Sequence, residues 1–273
     1  MSLFGDEPVP AVGDDPRKPW TSPSRLATWQ QCPRRYEFQH VRKLPTKPSP
    51  HLDLGSNVHA ALRDWLRLRP AERTWEGLLD FYRAAWRTNR PAFRNRSREE
   101  LREWGERGIV MLRRFAEETP ADLAPLAIEK WVGIDFGDLD VRGKVDRVDG
   151  LPDGSLRIID YKTGRYPKDP ARARQADLAA AVYARGASTN FAGAPVTAVE
   201  YLYLETMERL SFPIDEAWQT HKETAIATLA RTVQAAEATG EFPPQPTKLC
   251  AWCDFKERCP EGRAFLDAQG GRR

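Results

Sequence analysis

From Leu126 to Tyr161 the chain reads as strand, turn, strand, turn, strand. Ile128 to Ile134 is followed by a Gly137-Asp138 turn, Leu139 to Val148 by a Pro152-Asp153-Gly154 turn, and Leu156 to Tyr161 completes the series. Short Gly- and Asp-containing turns between runs rich in Val and Ile are hairpin chemistry, so the segment is expected to form a three-stranded meander. A meander has two faces and needs partners to cover them. The flanking sequence offers helices. Ser22-Pro23-Ser24 is an N-cap with proline just inside, and Leu26, Trp29, Cys32, Tyr36 and Phe38 follow at near-helical spacing. Leu54-Gly55-Ser56 leads into a second helix through Val58, His59, Leu62, Trp65 and Leu66, which Pro70 ends. Thr74 to Glu118 carries Trp, Leu, Phe and Arg at helical intervals and is expected as a helical insertion at about 71–120. A helix over about Ala173 to Arg185, a strand from Val196 to Leu204 and a helix from Asp215 to Ala238 complete the pattern. The expected class is α/β, a small mixed sheet flanked by helices.

The chemistry concentrates on the meander. Gly143-Lys144-Val145-Asp146 lies on its second strand and Asp160-Tyr161-Lys162-Thr163-Gly164 on its third. Strand side chains alternate sides, so Asp160 and Lys162 share one face while Ile159 and Tyr161 pack on the other. If the strands pair in the simple hairpin register, Asp146 joins that face, and Glu129 can join from the first strand. Carboxylates held together in this way bind Mg²⁺ or Mn²⁺, and a neighbouring lysine can orient or deprotonate water, which is the equipment phosphodiester hydrolysis requires. Taken alone, an Asp-x-Lys on a half-exposed strand is more often plain surface charge. A histidine such as His59, beside Trp65 on a helix, is likewise most often a packed side chain. Gly137 with Gly143-Lys144 is not a phosphate loop: the spacing is one residue too long, and Val145 stands where Ser or Thr is needed. No ATPase motor is expected.

Cys250-x₂-Cys253-x₅-Cys259, with Cys32 far upstream, has the grouping of a tetrathiolate site rather than of disulfides. Such a site would clamp both ends of the chain, in a segment at about 245–262 joined by Cys32. Spacing alone leaves iron-sulfur and structural zinc equal. Composition adds bounds. A 273-residue chain that is 41% hydrophobic supports a real core, and 42 Lys and Arg against 39 Asp and Glu leave a net charge of only +3, so any nucleic-acid surface must come from local clustering. Residues 1–20 are rich in Pro, Gly and Asp and are expected as a flexible tail, with 21–273 as a single domain. No apolar stretch approaches the length of a membrane helix, so a cytoplasmic protein without membrane contact is expected.

In combination these pieces resemble the PD-(D/E)XK nuclease superfamily, and specifically its RecB-like exonuclease branch with C-terminal iron-sulfur cysteines, which includes CRISPR-associated and AddB-type nucleases. The resemblance rests on Ser24-Arg25-Leu26, Cys32-Pro33-Arg34-Arg35-Tyr36, Gly55-Ser56-Asn57-Val58-His59, Glu129, Gly143 to Asp146, Asp160 to Gly164 and the terminal cysteines. It implies a restriction-endonuclease-like core. It also implies a divalent ion held by Asp146, Asp160, the Tyr161 carbonyl and His59, with Lys162 serving the attacking water and Glu129 as the first-strand acid. A glutamine and a tyrosine of the family's following helix correspond to Gln175 and Tyr183, at a wider spacing than usual. Cys32, Cys250, Cys253 and Cys259 would hold a 4Fe-4S cluster, with structural zinc as the alternative.

The expected activity is Mg²⁺- or Mn²⁺-dependent hydrolysis of DNA, single-stranded and from an end, in repair or end processing, with unwinding left to a separate helicase. An endonuclease or flap nuclease with the same site and a non-catalytic DNA-binding module of the same fold are the alternatives. Trp86 to Arg98 interleaves aromatics with arginines, which suits stacking on a single strand as well as it suits a solvated loop.

Overall fold

The structure is a computed structural model that describes residues 17–270. Most of the expected tail, 1–16, lies outside the described residues. Its last residues lead into the sheet: Trp20–Thr21 is β1, a parallel partner of β3.

The meander forms as expected, with β2 at Ala127–Asp135, β3 at Asp140–Gly150 and β4 at Leu156–Lys162. Further on come β5 (Val196–Tyr203) and β6 (Glu208–Pro213). Together they make a mixed six-stranded sheet in the order β1-β3-β4-β5-β6, with β2 also on β3. β2 runs antiparallel along one edge of β3 from Asp140 to Val148. The opposite edge of β3 is shared. β1 takes its start, at Asp140 and Val141, and β4 takes its end, from Arg147 to Gly150. Between them, residues 142–146 of that edge have no strand partner among the described residues.

Helices cover both faces. On one, α3 (Pro50–Leu66), α4 (Trp75–Thr88) and α5 (Arg98–Glu118) bury Leu54, Val58, Leu62, Trp65 and Phe115 against Ile159 and Tyr161. The expected insertion is therefore a wall of the fold. On the other face, α7 (Ala179–Asn190) packs Ala180, Ala184 and Ala187 onto Val132, Val145, Val148 and Ile158. Ile158 and Ile159 thus go to opposite cores, as strand alternation requires. α1 (Pro23–Gln31) and α8 (Glu216–Thr239) close the end of the α7 layer, where Leu26, Trp29 and Ile226 meet Ile134 and Val141. Tyr36 joins this cluster, and its hydroxyl donates to Glu237 of α8 at 2.7 Å.

Several boundaries differ from those expected. The first helix breaks at Cys32, whose extended backbone (φ −170°, ψ 115°) separates α1 from α2 (Pro33–Tyr36). A residue before proline avoids the helical region, which accounts for the break. α3 begins at Pro50, so Gly55 lies inside it; a Cβ there would stand 3.2 Å from Thr163 Oγ1, a close approach to the residue that follows β4. The single helix expected over Ala173 to Arg185 is two, α6 (Pro170–Ala176) and α7. Asp177 sits at the break and accepts the Ala180 N–H at 2.8 Å, acting as an N-cap. β1 and β6 were not expected.

α7 comes close to the sheet because it carries small residues. A Cβ on Gly186 would lie 2.4 Å from the backbone nitrogen of Gly133 on β2, a clash with main chain that no rotamer relieves. Gly186→Ala should therefore lower stability by about 1–3 kcal/mol, read as a lower urea midpoint at unchanged slope. An unchanged midpoint would show that α7 is free to move outward.

Candidate active site

The ladder between β3 and β4 ends at the pair Arg147↔Ile159. Continued by one step, it would place Asp146 opposite Asp160. Instead the strands part, and the Tyr161 N–H donates to Asp146 Oδ2 at 2.6 Å. A side-chain carboxylate has taken the place of a ladder carbonyl. His59 enters the gap from α3. Its Nδ1 lies 3.2 Å from Asp146 Oδ1 and its Nε2 3.0 Å from the Tyr161 carbonyl oxygen. On β4, the Lys162 ammonium is ion-paired with Asp160, and its Nζ lies 4.3 Å from the ring centroid of Tyr201. Glu129 reaches the same region from β2 and pairs with Lys144 at 2.6 Å.

The residues expected at the site are thus brought to one place. Within it, ligand atoms of His59, Glu129 and Asp146 all lie within 4.8 Å of one another, which makes this the compact trio. Glu129 belongs to that trio; Asp160 is engaged with Lys162. The Glu129 backbone is strained, with φ +53°, an uncommon conformation for a residue with a Cβ.

The charges identify what the gap accepts. Burial alone would depress the His59 pKa, but Asp146, and after it Asp160 and Glu129, raise it from 6.5 to about 9. Both ring nitrogens face acceptors, so the imidazolium is the form that satisfies them. Burial raises the Asp160 carboxyl, with Lys162 opposing and Asp146 reinforcing the shift. Asp146 is itself buried, and His59 nevertheless holds its pKa low. A pocket of acids that favours a proton on a half-buried histidine is short of positive charge. Its donors, carboxylates and a carbonyl with one imidazole, suit a hard divalent cation, so the residues present fit Mg²⁺ or Mn²⁺.

Three side chains that the sequence left in doubt or passed over line the same region. Tyr183 of α7 lies over Gly143, where a Cβ would stand 2.7 Å from its ring. Burial, with the carboxylates of Asp160, Asp146 and Asp177 behind it, pushes the Tyr183 phenol well up. Tyr201 donates its hydroxyl to Asp177 at 2.8 Å. Lys144 lies two residues before Asp146 on β3, a spacing that was available in the sequence. Gln175 is exposed, and its backbone carbonyl accepts from Lys222 Nζ at 2.6 Å. Trp86 and Phe93, expected as candidate stacking residues, pack on each other at 5.4 Å, and Phe93 is buried.

The four cysteines are all free thiols and line one pocket, with Arg34, Arg35 and Phe38 beside them. Backbone N–H groups of Gln245, Thr247 and Gly262 point at the sulfurs of Cys32, Cys250 and Cys259, each at 3.4 Å. No three of these sulfurs lie within 4.8 Å of one another.

A family model for the PD-(D/E)XK nuclease superfamily matches residues 21–260. The chain belongs to that superfamily. Asp160-Tyr161-Lys162 matches the letters (D/E)XK of the family name, and its Tyr161 N–H donates to Asp146. The PD-(D/E)XK chain is 26% identical over 271 residues to the gene 69 protein of Mycobacterium phage D29, covering 89% of this chain and 97% of the phage protein. Its fold is similar to that of a Eubacterium rectale protein provisionally assigned as an exonuclease, with a TM-score of 0.54 and 16% identity over 86% of each chain. This likeness agrees with the mixed sheet flanked by helices. Among the described residues no helix is long and apolar enough to cross a membrane.

In the metal-free nuclease His59 should titrate near pH 9, followed by NMR of its ring protons. Because the folded pKa lies above 6.5, the imidazolium's contribution to stability is complete below pH 6.5 and is lost as pH rises through about 9. Asp146→Asn removes the main partner and should bring the titration down by more than one unit. A His59 titration at or below 6.5 in the parent protein would contradict the charge argument.

Proposed function

We propose that this superfamily member is a Mg²⁺- or Mn²⁺-dependent deoxyribonuclease of the RecB-like branch that degrades single-stranded DNA from an end, in repair or end processing. The observation that carries the reading is the convergence of Asp146, Asp160, Glu129, His59 and Lys162 where β4 leaves β3. The exonuclease assignment of the Eubacterium rectale relative agrees with it. Asp146, Asp160, the Tyr161 carbonyl and His59 would hold the ion, with Glu129 close enough to join them. When bound, a divalent ion neutralises phosphate charge and makes water acidic enough to attack near neutral pH.

The chain's own groups do the positioning. Burial lowers the Lys162 pKa, but Asp160 more than restores it, so the amine stays protonated. It therefore acts as a hydrogen-bond donor that orients the attacking water and meets charge developing on the phosphate. Asp160 fixes the lysine in place. Asp146 holds the Tyr161 amide and so fixes the carbonyl on that same residue.

Cys32, Cys250, Cys253 and Cys259 are assigned to a 4Fe-4S cluster that ties the two ends of the chain together. A structural zinc, held tetrahedrally with Zn–S near about 2.3 Å, is the alternative for the same four thiols. The protein is taken to act in the cytoplasm, with a separate helicase or processing factor supplying unwound strands.

Anaerobically prepared protein should shorten end-labelled single-stranded DNA when Mn²⁺ is added and leave circular single strands intact. Lys162→Ala and Asp160→Ala should each cut the rate by at least about 10²-fold while circular dichroism and DNA binding persist. Cleavage of the circle would indicate an endonuclease, and full activity in Asp160→Ala would refute the assignment of the site.

A further inference from the structure

The gap between β1 and β4 extends past the residues of the ion site. Along the unpartnered edge of β3 it opens as a broad solvent-connected cavity, whose walls include Trp20, Trp131, Arg142, Lys144, Lys162 and Tyr183. Lys162 thus belongs to both: its ammonium pairs with Asp160, and its side chain forms one wall of the cavity. The far wall is Trp20.

Trp20 is fixed in position yet open. Pro19 O accepts the Asp140 N–H at 2.9 Å, and Lys18 Nζ lies 2.9 Å from Asp140 Oδ1, so the two residues before the tryptophan are tied to β3. The Arg142 guanidinium lies 5.6 Å from its ring centroid and is itself held by Asp140 at 2.8 Å. The ring nonetheless stays 38% exposed. Trp131 stands opposite Lys144 across the β2–β3 ladder, and its carbonyl accepts from Asn190 Nδ2 at 2.8 Å. Both tryptophans line the cavity on segments tied to the sheet, and aromatic side chains on fixed backbone can take up a flat partner with little further loss of conformational freedom.

We propose that this cavity is a stacking subsite for one unpaired nucleobase of the strand under attack, with Trp20 and Trp131 as its aromatic faces. The inference rests on the nuclease reading and deepens it: a base in a duplex has both faces covered by its neighbours, whereas an unpaired base can offer a face to tryptophan. Lys162 and Lys144 on the walls keep the adjoining phosphate beside the reacting centre. The lining holds one carboxylate, Asp177, which is occupied by the Tyr201 hydroxyl and the start of α7.

The test is binding of a fluorescent oligothymidine, and of an abasic oligomer of equal length, to the full-length protein in chelator, where no cleavage occurs. Trp20→Ala and Trp131→Ala should each weaken oligothymidine binding by about 5- to 100-fold, the usual range for losing one stacked base. Both variants should bind the abasic oligomer as the parent does, and Trp20→Phe should keep most of the affinity. Equal losses on both oligomers, no loss on oligothymidine, or no binding of oligothymidine by the parent would overturn the subsite. Parallel assays with Mn²⁺ separate the two readings. Tryptophan-dependent binding without cleavage would sink the nuclease and spare the subsite, and cleavage without tryptophan dependence would do the reverse.

Discussion

The site depends on one hydrogen bond, from the Tyr161 amide to the Asp146 carboxylate. In a regular antiparallel pair that amide would go to a backbone carbonyl of β3, and the two strands would stay together. Here the side chain substitutes for the main chain. The Tyr161 amide therefore stays satisfied while β4 diverges. A carboxylate, a carbonyl and a histidine gather at the point of separation because each meets the hydrogen-bonding needs of the next.

The rest of the fold holds that separation open. On one face α3 buries Val58 and Leu62 in the core shared with Ile159 and Tyr161, which fixes His59 at the correct height. On the other, α7 lies so close to β2 and β3 that glycine is needed at both 186 and 143, and Tyr183 is carried over the gap. At the far end β1 caps the start of β3 on the edge that β4 takes up later. The cysteines lie apart from this separation: Cys32 follows α1 directly and the other three belong to the C-terminal segment.

Much of this was legible in the sequence, and the reasons differ by residue. Asp160 and Lys162 share a face because strand side chains alternate, which needs no tertiary information. The break at Cys32 was also within reach, since proline follows it. His59 was different: nothing in its local spacing separates a ligand from a packed histidine, and only the resemblance to a family singled it out. β1 could not be read, because a two-residue strand has no periodicity and exists through its pairing with Asp140 and Val141. Trp86 and Phe93 show the same limit from the other side. Aromatics interleaved with arginines read equally well as a stacking surface or as a solvated loop, and the structure instead packs Trp86 against a buried Phe93, which sequence does not report.

We propose that the parted strands gather acidic groups to hold one hard cation beside Lys162. Titration with Mn²⁺ followed by electron paramagnetic resonance tests it directly, because bound ion loses the signal of the free one. The parent protein should take up Mn²⁺ in stoichiometric amount, and Asp146→Asn, which keeps the shape and removes the charge, should take up little at the same concentration. Equal uptake by both proteins, or none by either, would contradict the account.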